Sequence, residues 1–248
     1  MPTYTPPLRD MRFVMEELLD VPGELKALPA HAENDMDTIM AIAEEGGKFA
    51  AEVLFPLNQS GDREGCVLDQ KTHEVKAPKG YKEAYKQFVE GGWAALSCDP
   101  EYGGQGLPIV VNQCVYEFLN SANQAWTMYP GLTHGAYECL HEHGTPEQKE
   151  RFLVPLLAGD VRSWFSMTEP ENAGSNPTWL STTAEKDGDD YIINGHKWFT
   201  TAADGAAFAI VMAVTDRAAS RYGRASMIIV PTDTPGFQIV ENTSVMGE

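Results

Sequence analysis

Residues 145–170 read TPEQKERFLVPLLAGDVRSWFSMTEP, and within these 26 residues the chain changes its periodicity. The first half opens as a helix should. Thr145 is a good N-cap, Pro146 stands at the first helical position, and Gln148 sits at the third, where a capping box expects Glu or Gln. Apolar residues then recur at helical spacing until Gly159 stops the run. Upstream of this point the pattern is helical, and downstream it is that of strands. The stretch therefore predicts an α+β chain with a helical N-terminal part and a β-rich part after it.

Working back from Gly159, helical runs are expected near 109–126, 131–143 and 146–158. Tyr81, Tyr85, Phe88 and Val89 mark another helix. Ile39, Ile42, Ala43, Ala50, Val53 and Leu54 mark a further one, with Asp35 or Asp37 placed to cap it. Within that helix the pair Gly46-Gly47 either weakens it or admits a close neighbour. Residues 58–79 read as a loop holding one short hairpin. The first 34 residues carry five prolines and read as an extended arm with a short amphipathic helix from about Met11 to Leu19.

Working forward, strand-length runs are expected at 182–185, 191–194, 208–215, 226–230 and 237–240, with Asp187-Gly188-Asp189 closing a hairpin. Three segments follow: an arm at 1–34, a helical domain at 35–160 and a β domain at 161–248, the last of these expected to be incomplete at its C-terminal end. A partly built sheet leaves an edge to be covered, so the chain reads as the beginning of something larger or as one partner in an assembly.

Composition excludes several classes of function. The 36 acidic residues against 18 basic ones give a formal charge of −18, which repels a nucleic-acid backbone. No apolar run approaches the roughly 20 residues of a membrane-spanning helix, and the N-terminus does not resemble a secretory leader, so a cytoplasmic protein is expected. Cys66, Cys98, Cys114 and Cys139 lack paired short spacing and read as reduced, buried thiols. His141 and His143 stand two apart on a helix and cannot share a face. With His134 they make a poor zinc site, and no metal is expected.

Two stretches carry candidate chemistry. In SMTEPENAGSN (166–176), Pro170 holds Glu169 extended, so Thr168 can point sideways and donate to a heterocycle. The plainer reading is a strand exit rich in Asn and Ser with Glu169 and Glu171 solvated, and the segment alone does not choose between the two. In INGHKWFTTAADGA (193–206), a strand would put Phe199 and Thr201 on one face and Trp198 and Thr200 on the other. Such a face could stack on a flat cofactor and hydrogen-bond to it, or could simply pack as aromatic and β-branched residues do. His196 beside Lys197 is either surface or turned toward a ligand phosphate. Gly103-Gly104-Gln105-Gly106 lacks the spacing and the setting of a dinucleotide fingerprint.

Taken together, DPEYGGQGLP (99–108), HGTPEQKERFLVPLLAG (143–159), SMTEPENAGS (166–175) and DGDDYIINGHKWFTTA (187–202) resemble the FAD-dependent acyl-CoA dehydrogenase family, in the family's order and spacing. The N-terminal part resembles the branch that includes the methylthiopropionyl-CoA dehydrogenases. The resemblance implies an all-helical N-terminal domain followed by a central antiparallel, β-barrel-like domain. It also implies FAD as cofactor, with Phe165, Met167 and Thr168 meeting the flavin's pyrimidine side, Phe199 beside the ring system and Thr201 near N5. Ser175 would lie along the CoA chain. The reaction implied forms a trans-2-enoyl-CoA from a saturated acyl-CoA by loss of an α-proton and transfer of a β-hydride to flavin N5.

In this family the base is a glutamate from a C-terminal helical domain, so no catalytic residue is expected here and the chain alone is expected to be inactive. Glu169 belongs to the family's motif but is not its base. An acyl-CoA thioester, an electron-transfer flavoprotein and further copies in a homodimer or homotetramer are the implied partners. The alternatives are a non-catalytic binding or structural subunit of the same fold, and an acyl-CoA oxidase or related flavin monooxygenase.

Overall fold

The computed structural model describes residues 3–172, 174 and 176–243. Its N-terminal part is helical. Helix α1 (Leu8–Phe13) runs into a wider π turn (Val14–Leu18), so the helix of the arm begins earlier than its apolar pattern suggests. A short α2 (Val21–Lys26) follows. Helix α3 (Met36–Phe49) starts at Asp35, whose Oδ1 accepts the Thr38 N–H at 2.8 Å, as a side-chain N-cap does. A π turn (Ala50–Leu54) leads straight into α4 (Phe55–Glu64), so residues 58–64 are helical where a loop was expected. Pro56 lies where the π turn passes into α4; it has no N–H to give the upstream turn, and the Phe55 N–H beside it donates to the Ala50 carbonyl in the wider π pattern.

The hairpin of β1 (Val67–Leu68) and β2 (Val75–Lys76) then leads to α5 (Tyr81–Glu90). Helix α6 (Ile109–His143) was read as two helices, and it does break, but at Asn123 and not near Pro130. Asn123 leaves helical geometry at φ −160°, ψ 84°, and its Oδ1 accepts the Trp126 N–H at 3.1 Å, so it caps the second half. Its Nδ2 donates to the Leu54 carbonyl at 3.2 Å and fastens the break to the end of the π turn. Helix α7 (Pro146–Gln148) has both bonds of the capping box. It continues through a π turn (Lys149–Leu153) into α8 (Val154–Leu157).

The helical core gathers Ala43, Leu54, Phe88, Phe118, Leu119 and Trp126, with Phe88 edge-on to Trp126 at 5.4 Å. The Gly46-Gly47 pair admits close neighbours. A Cβ on Gly46 would stand 2.9 Å from Val115 Cγ2, and one on Gly47 would stand 2.7 Å from Pro6 Cγ. Cys98 and Cys114 are buried, and burial pushes both thiols up to about 12. Cys139 is half-buried and Cys66 is exposed, contrary to the expectation of four buried thiols.

Five strands form the sheet among the described residues: β3 (Ser163–Ser166), β4 (Thr183–Asp187), β5 (Asp190–Asn194), β6 (Phe208–Val214) and β7 (Ala225–Pro231). The almost wholly buried β6 is central, as its near-continuous apolar run requires. Antiparallel β7 covers one edge of β6. The other edge carries β3, in parallel register from Ser163↔Phe208 to Ser166↔Val211, and β4 at Thr183↔Val214. The sheet is therefore mixed where an antiparallel one was expected, and no closed barrel forms among the described residues.

The β4–β5 hairpin turns at Asp187–Asp190, where Gly188 takes φ +62°. Residues 237–240 do not form the expected strand; Phe237 instead packs edge-on against Trp164 at 6.0 Å. The two regions meet in a shared apolar seam. Tyr137 and Leu140 of α6 and Leu153 and Leu156 pack there with Phe208 and Ile210 of β6.

Candidate functional site

In strand β3 Ser163, Trp164 and Ser166 are buried, and Phe165 alone is 42% exposed. The chain leaves β3 at Met167 and Thr168. The second candidate segment leaves β5 at Asn194 and forms no strand from 195 to 206, so the expected alternation of its faces does not apply. Phe199 and Ala202 instead take left-handed backbone, at φ +52° and +69°. A bulky residue there is disfavoured by sterics, and such conformations persist where the surroundings over-determine them.

The structure brings the two segments together. The Trp198 N–H donates to the Thr168 carbonyl at 2.8 Å. Thr168, Glu171, Asn172 and Gly174 on one wall and Trp198 and Phe199 on the other enclose an open cleft of about 490 Å³. The Phe199 ring, 67% exposed, lies on its lip and meets the Trp198 ring edge-on at 5.5 Å. A Cβ on Gly174 would meet the Thr168 side chain, so only glycine lets the wall lie this close. Phe165, Met167 and Thr201 do not line the cleft. The Met167 carbonyl accepts from Lys197 Nζ at 3.0 Å, and Thr201 is exposed in the turn two residues beyond Phe199. Ser175 lies outside the described residues.

Glu169 is the residue that sequence reasoning missed. It is 3% exposed, not solvated, and its carboxylate accepts from five donors. These are Ser181 N–H (2.7 Å), Ser181 Oγ (2.6 Å), Thr182 N–H (2.9 Å), Lys197 Nζ (3.0 Å) and Asn172 Nδ2 (3.1 Å). Burial by itself raises its pKa, but the hydrogen bonds from Ser181 and Thr182 outweigh that and hold it far below the ordinary glutamate range. Lys197 points inward, where burial pulls its pKa down and Glu169 opposes that pull, while its neighbour His196 is exposed. The one cue in the sequence was Pro170, which keeps Glu169 out of a helix. Four of the five bonds come from residues 12, 13 and 28 positions away, and nothing local announces those. Glu171 is exposed, as the solvated reading required. His141 pairs with Asp99 at 3.0 Å, away from the cleft.

This arrangement offers a half-exposed hydroxyl, an exposed aromatic face and a wall stiffened by a buried ion pair. A flat ligand with a polar edge would find both an apolar face and a hydrogen-bonding group there.

Residues 36–160 match the family profile "Acyl-CoA dehydrogenase, N-terminal domain", and residues 165–248 match "Acyl-CoA dehydrogenase, middle domain". The chain is similar to 3-methylmercaptopropionyl-CoA dehydrogenase of Ruegeria pomeroyi, with 40% identity over 80% of this chain and 33% of that one. Two solved structures share its fold at 27% identity. The butyryl-CoA dehydrogenase of Megasphaera elsdenii does so over 82% of this chain, with a TM-score of 0.69. A glutaryl-CoA dehydrogenase of Mycobacterium smegmatis, solved in complex with FADH2, does so over 86%, with a TM-score of 0.67. The chain spans half the length of each of these two structures. On the two profile matches, which run through nearly all of the sequence after the N-terminal arm, the chain belongs to the acyl-CoA dehydrogenase family.

Proposed function

We propose that this chain forms the flavin-facing part of an FAD-dependent oxidoreductase acting on acyl-CoA thioesters. The observation that carries the reading is the 2.8 Å bond from Trp198 N–H to the Thr168 carbonyl, which sets a hydroxyl and an exposed aromatic face around one cleft. The residues suit such a group. A flat heteroaromatic system needs an apolar face and a donor at its polar edge, and Phe199 and Thr168 offer these. The volume of about 490 Å³ falls within the range of roughly 300–1,000 Å³ typical of small-molecule sites. The enclosed void between α5 and α6, at about 10 Å³, has room for a single water at most. That a relative of the same fold was solved with FADH2 supports FAD as the occupant.

In this reading Thr168 donates to the flavin's edge and Phe199 stacks on its ring system. Backbone groups at Phe165 and Met167 border the same side, Thr201 approaches from the turn, and Ser175 contacts the CoA portion. Bound FAD supplies the two-electron acceptor for oxidation between the α and β carbons of the acyl chain. The chain's own residues bind, orient and exclude water.

Removal of the α-proton needs a carboxylate whose pKa lies near working pH. Glu169 cannot serve, because five donors hold it ionised and weakly basic. In the same proposal the base, and the remainder of the flavin site, come from polypeptide other than these residues, as the family resemblance implies. An electron-transfer flavoprotein as acceptor, a homo-oligomeric assembly and a cytoplasmic setting belong to the same proposal.

The test is anaerobic titration of the protein with FAD and then with saturated acyl-CoAs of several lengths, following the flavin absorption band. Because the base comes from elsewhere in this reading, uptake of FAD by this chain without bleaching is the expected result, bleaching by acyl-CoA is expected only once the polypeptide carrying the base is present, and failure to take up FAD overturns the reading. Thr168→Ala removes one hydrogen bond of about 1 kcal/mol, which weakens FAD binding about fivefold. Unchanged binding would remove Thr168 from the site.

A further inference from the structure

The Glu169–Lys197 pair is buried more deeply than a chance ion pair on a cleft wall, with side chains 1% and 11% exposed. A buried pair is weak evidence of stabilisation, because an apolar pair of similar volume often serves as well or better. Its geometry points to another role. Lys197 Nζ donates both to Glu169 Oε1 and to the Met167 carbonyl, each at 3.0 Å, so one ammonium bridges the residues on either side of Thr168. The next residue along, Trp198, donates its N–H to Thr168 itself. Phe199 follows immediately in its left-handed conformation. Three bonds thus tie 197–198 to 167–169, and they leave the Thr168 hydroxyl and the Phe199 ring without a part in the joint.

The joint is anchored to the rest of the fold. Glu169 takes three of its five bonds from Ser181 and Thr182, at the entry to β4. The Thr182 carbonyl accepts the Val214 N–H of β6 at 2.8 Å, which links the cleft to the central strand. Arg224, just before β7, donates to the Thr178 and Leu180 carbonyls at 2.6 and 3.1 Å and braces the turn that leads to those donors.

We propose that Glu169 and Lys197 are positioning residues, whose ion pair sets the register of segments 167–169 and 197–199 and so holds Thr168 and Phe199 at one cleft before any cofactor arrives. This rests on the flavin reading for its consequence, though not for its geometry. The experiment uses the full chain and three variants: Glu169→Gln, Lys197→Met, and Leu119→Ala as a control in the helical core.

Amide hydrogen exchange is measured without cofactor, and FAD affinity is measured separately, both well below each variant's Tm. Both cleft variants should speed exchange at Trp198 by about tenfold or more, because local opening no longer breaks the joint, and exchange in α3 should stay as in the wild type. FAD binding should weaken by about tenfold as well. Leu119→Ala should lower Tm and move neither readout. Should the cleft variants prove unfolded, Ser181→Ala removes a single donor and should still speed exchange at Trp198 severalfold. Unchanged exchange at Trp198 in folded variants, or the same change in Leu119→Ala, overturns the inference. Absence of FAD binding by the wild-type chain would sink the flavin reading, and the exchange result would still decide this one.

Discussion

Replacing Phe199 with glycine separates what the cleft does from what holds the protein together. Phe199 sits at φ +52°, a conformation costing an L-residue roughly 1–2 kcal/mol that glycine adopts freely. Against that gain stand two losses. Glycine adds about 0.5–1 kcal/mol of backbone entropy to the unfolded chain. The ring is 67% exposed, so only a third of the roughly 1.5–3 kcal/mol for burying a phenylalanine is lost, about 0.5–1 kcal/mol. The terms nearly cancel, and Phe199→Gly should fold with a stability within about 1 kcal/mol of the wild type. For a chain of this size that is a shift in Tm of no more than about 2–4 °C. The flavin, however, loses the stacking ring and the burial of its exposed two-thirds. Together these come to about 2 kcal/mol, or roughly thirtyfold in Kd. Thermal unfolding without cofactor and FAD titration by fluorescence read the two quantities on one preparation. A drop in Tm beyond about 5 °C would mean that the ring is structural. An FAD affinity within about threefold of wild type would mean that Phe199 does not face the cofactor.

Other perturbations follow from the same structure. Asn123→Ala removes the cap on Trp126, about 1 kcal/mol, and leaves the buried Leu54 carbonyl without its donor, about 1–3 kcal/mol more. Urea unfolding should show a loss of roughly 2–4 kcal/mol, and a loss under about 0.5 kcal/mol would mean the break in α6 does not depend on this side chain. Gly46→Ala places a Cβ 2.9 Å from Val115 Cγ2, and crowding of about 1–3 kcal/mol should outweigh the roughly 1 kcal/mol of helical gain. Adding Val115→Ala should then cost less than it does in the wild type, a coupling that a double-mutant cycle measures.

The pH dependence of stability should follow Glu169. Its pKa is depressed on folding, so its contribution is fully present above the ordinary glutamate value of 4.5 and is lost as pH falls below that toward the folded value. The gap in urea midpoint between wild type and Glu169→Gln should therefore narrow below about pH 4.5. A gap constant down to about pH 3 would show that the charge is not what the site stabilises.

What the sequence disclosed was what neighbouring residues encode. The Asp35 cap, the Thr145–Gln148 capping box, the Asp187–Asp190 turn and the apolar run of β6 all lie within a few residues of their own cause, and each formed where its pattern placed it. The errors arose where a partner decides. Residues 58–64 look like a polar loop, yet they extend a helix already nucleated upstream through the π turn at 50–54. Strand β3 pairs in parallel with β6, 45 residues later, and no local pattern distinguishes that from an antiparallel neighbour. The same holds at the cleft. Thr168 and Phe199 could be singled out by type and by family resemblance, while Glu169 looked solvated because its donors come from Ser181, Thr182 and Lys197.

The two oddities of the site explain each other. A phenylalanine in left-handed backbone with most of its ring in water gains little for the fold, and left to itself the segment would relax toward an extended conformation. A buried carboxylate with five donors beside a buried ammonium is the opposite: rigid, expensive to disturb and of doubtful net benefit to stability. Set two residues apart, with the Trp198 amide bonded to Thr168 between them, the second supplies the constraint that the first requires. Neither feature improves the packing of the core. Their shared product is a single aromatic face held in fixed relation to one hydroxyl, which is the arrangement the proposed flavin site requires.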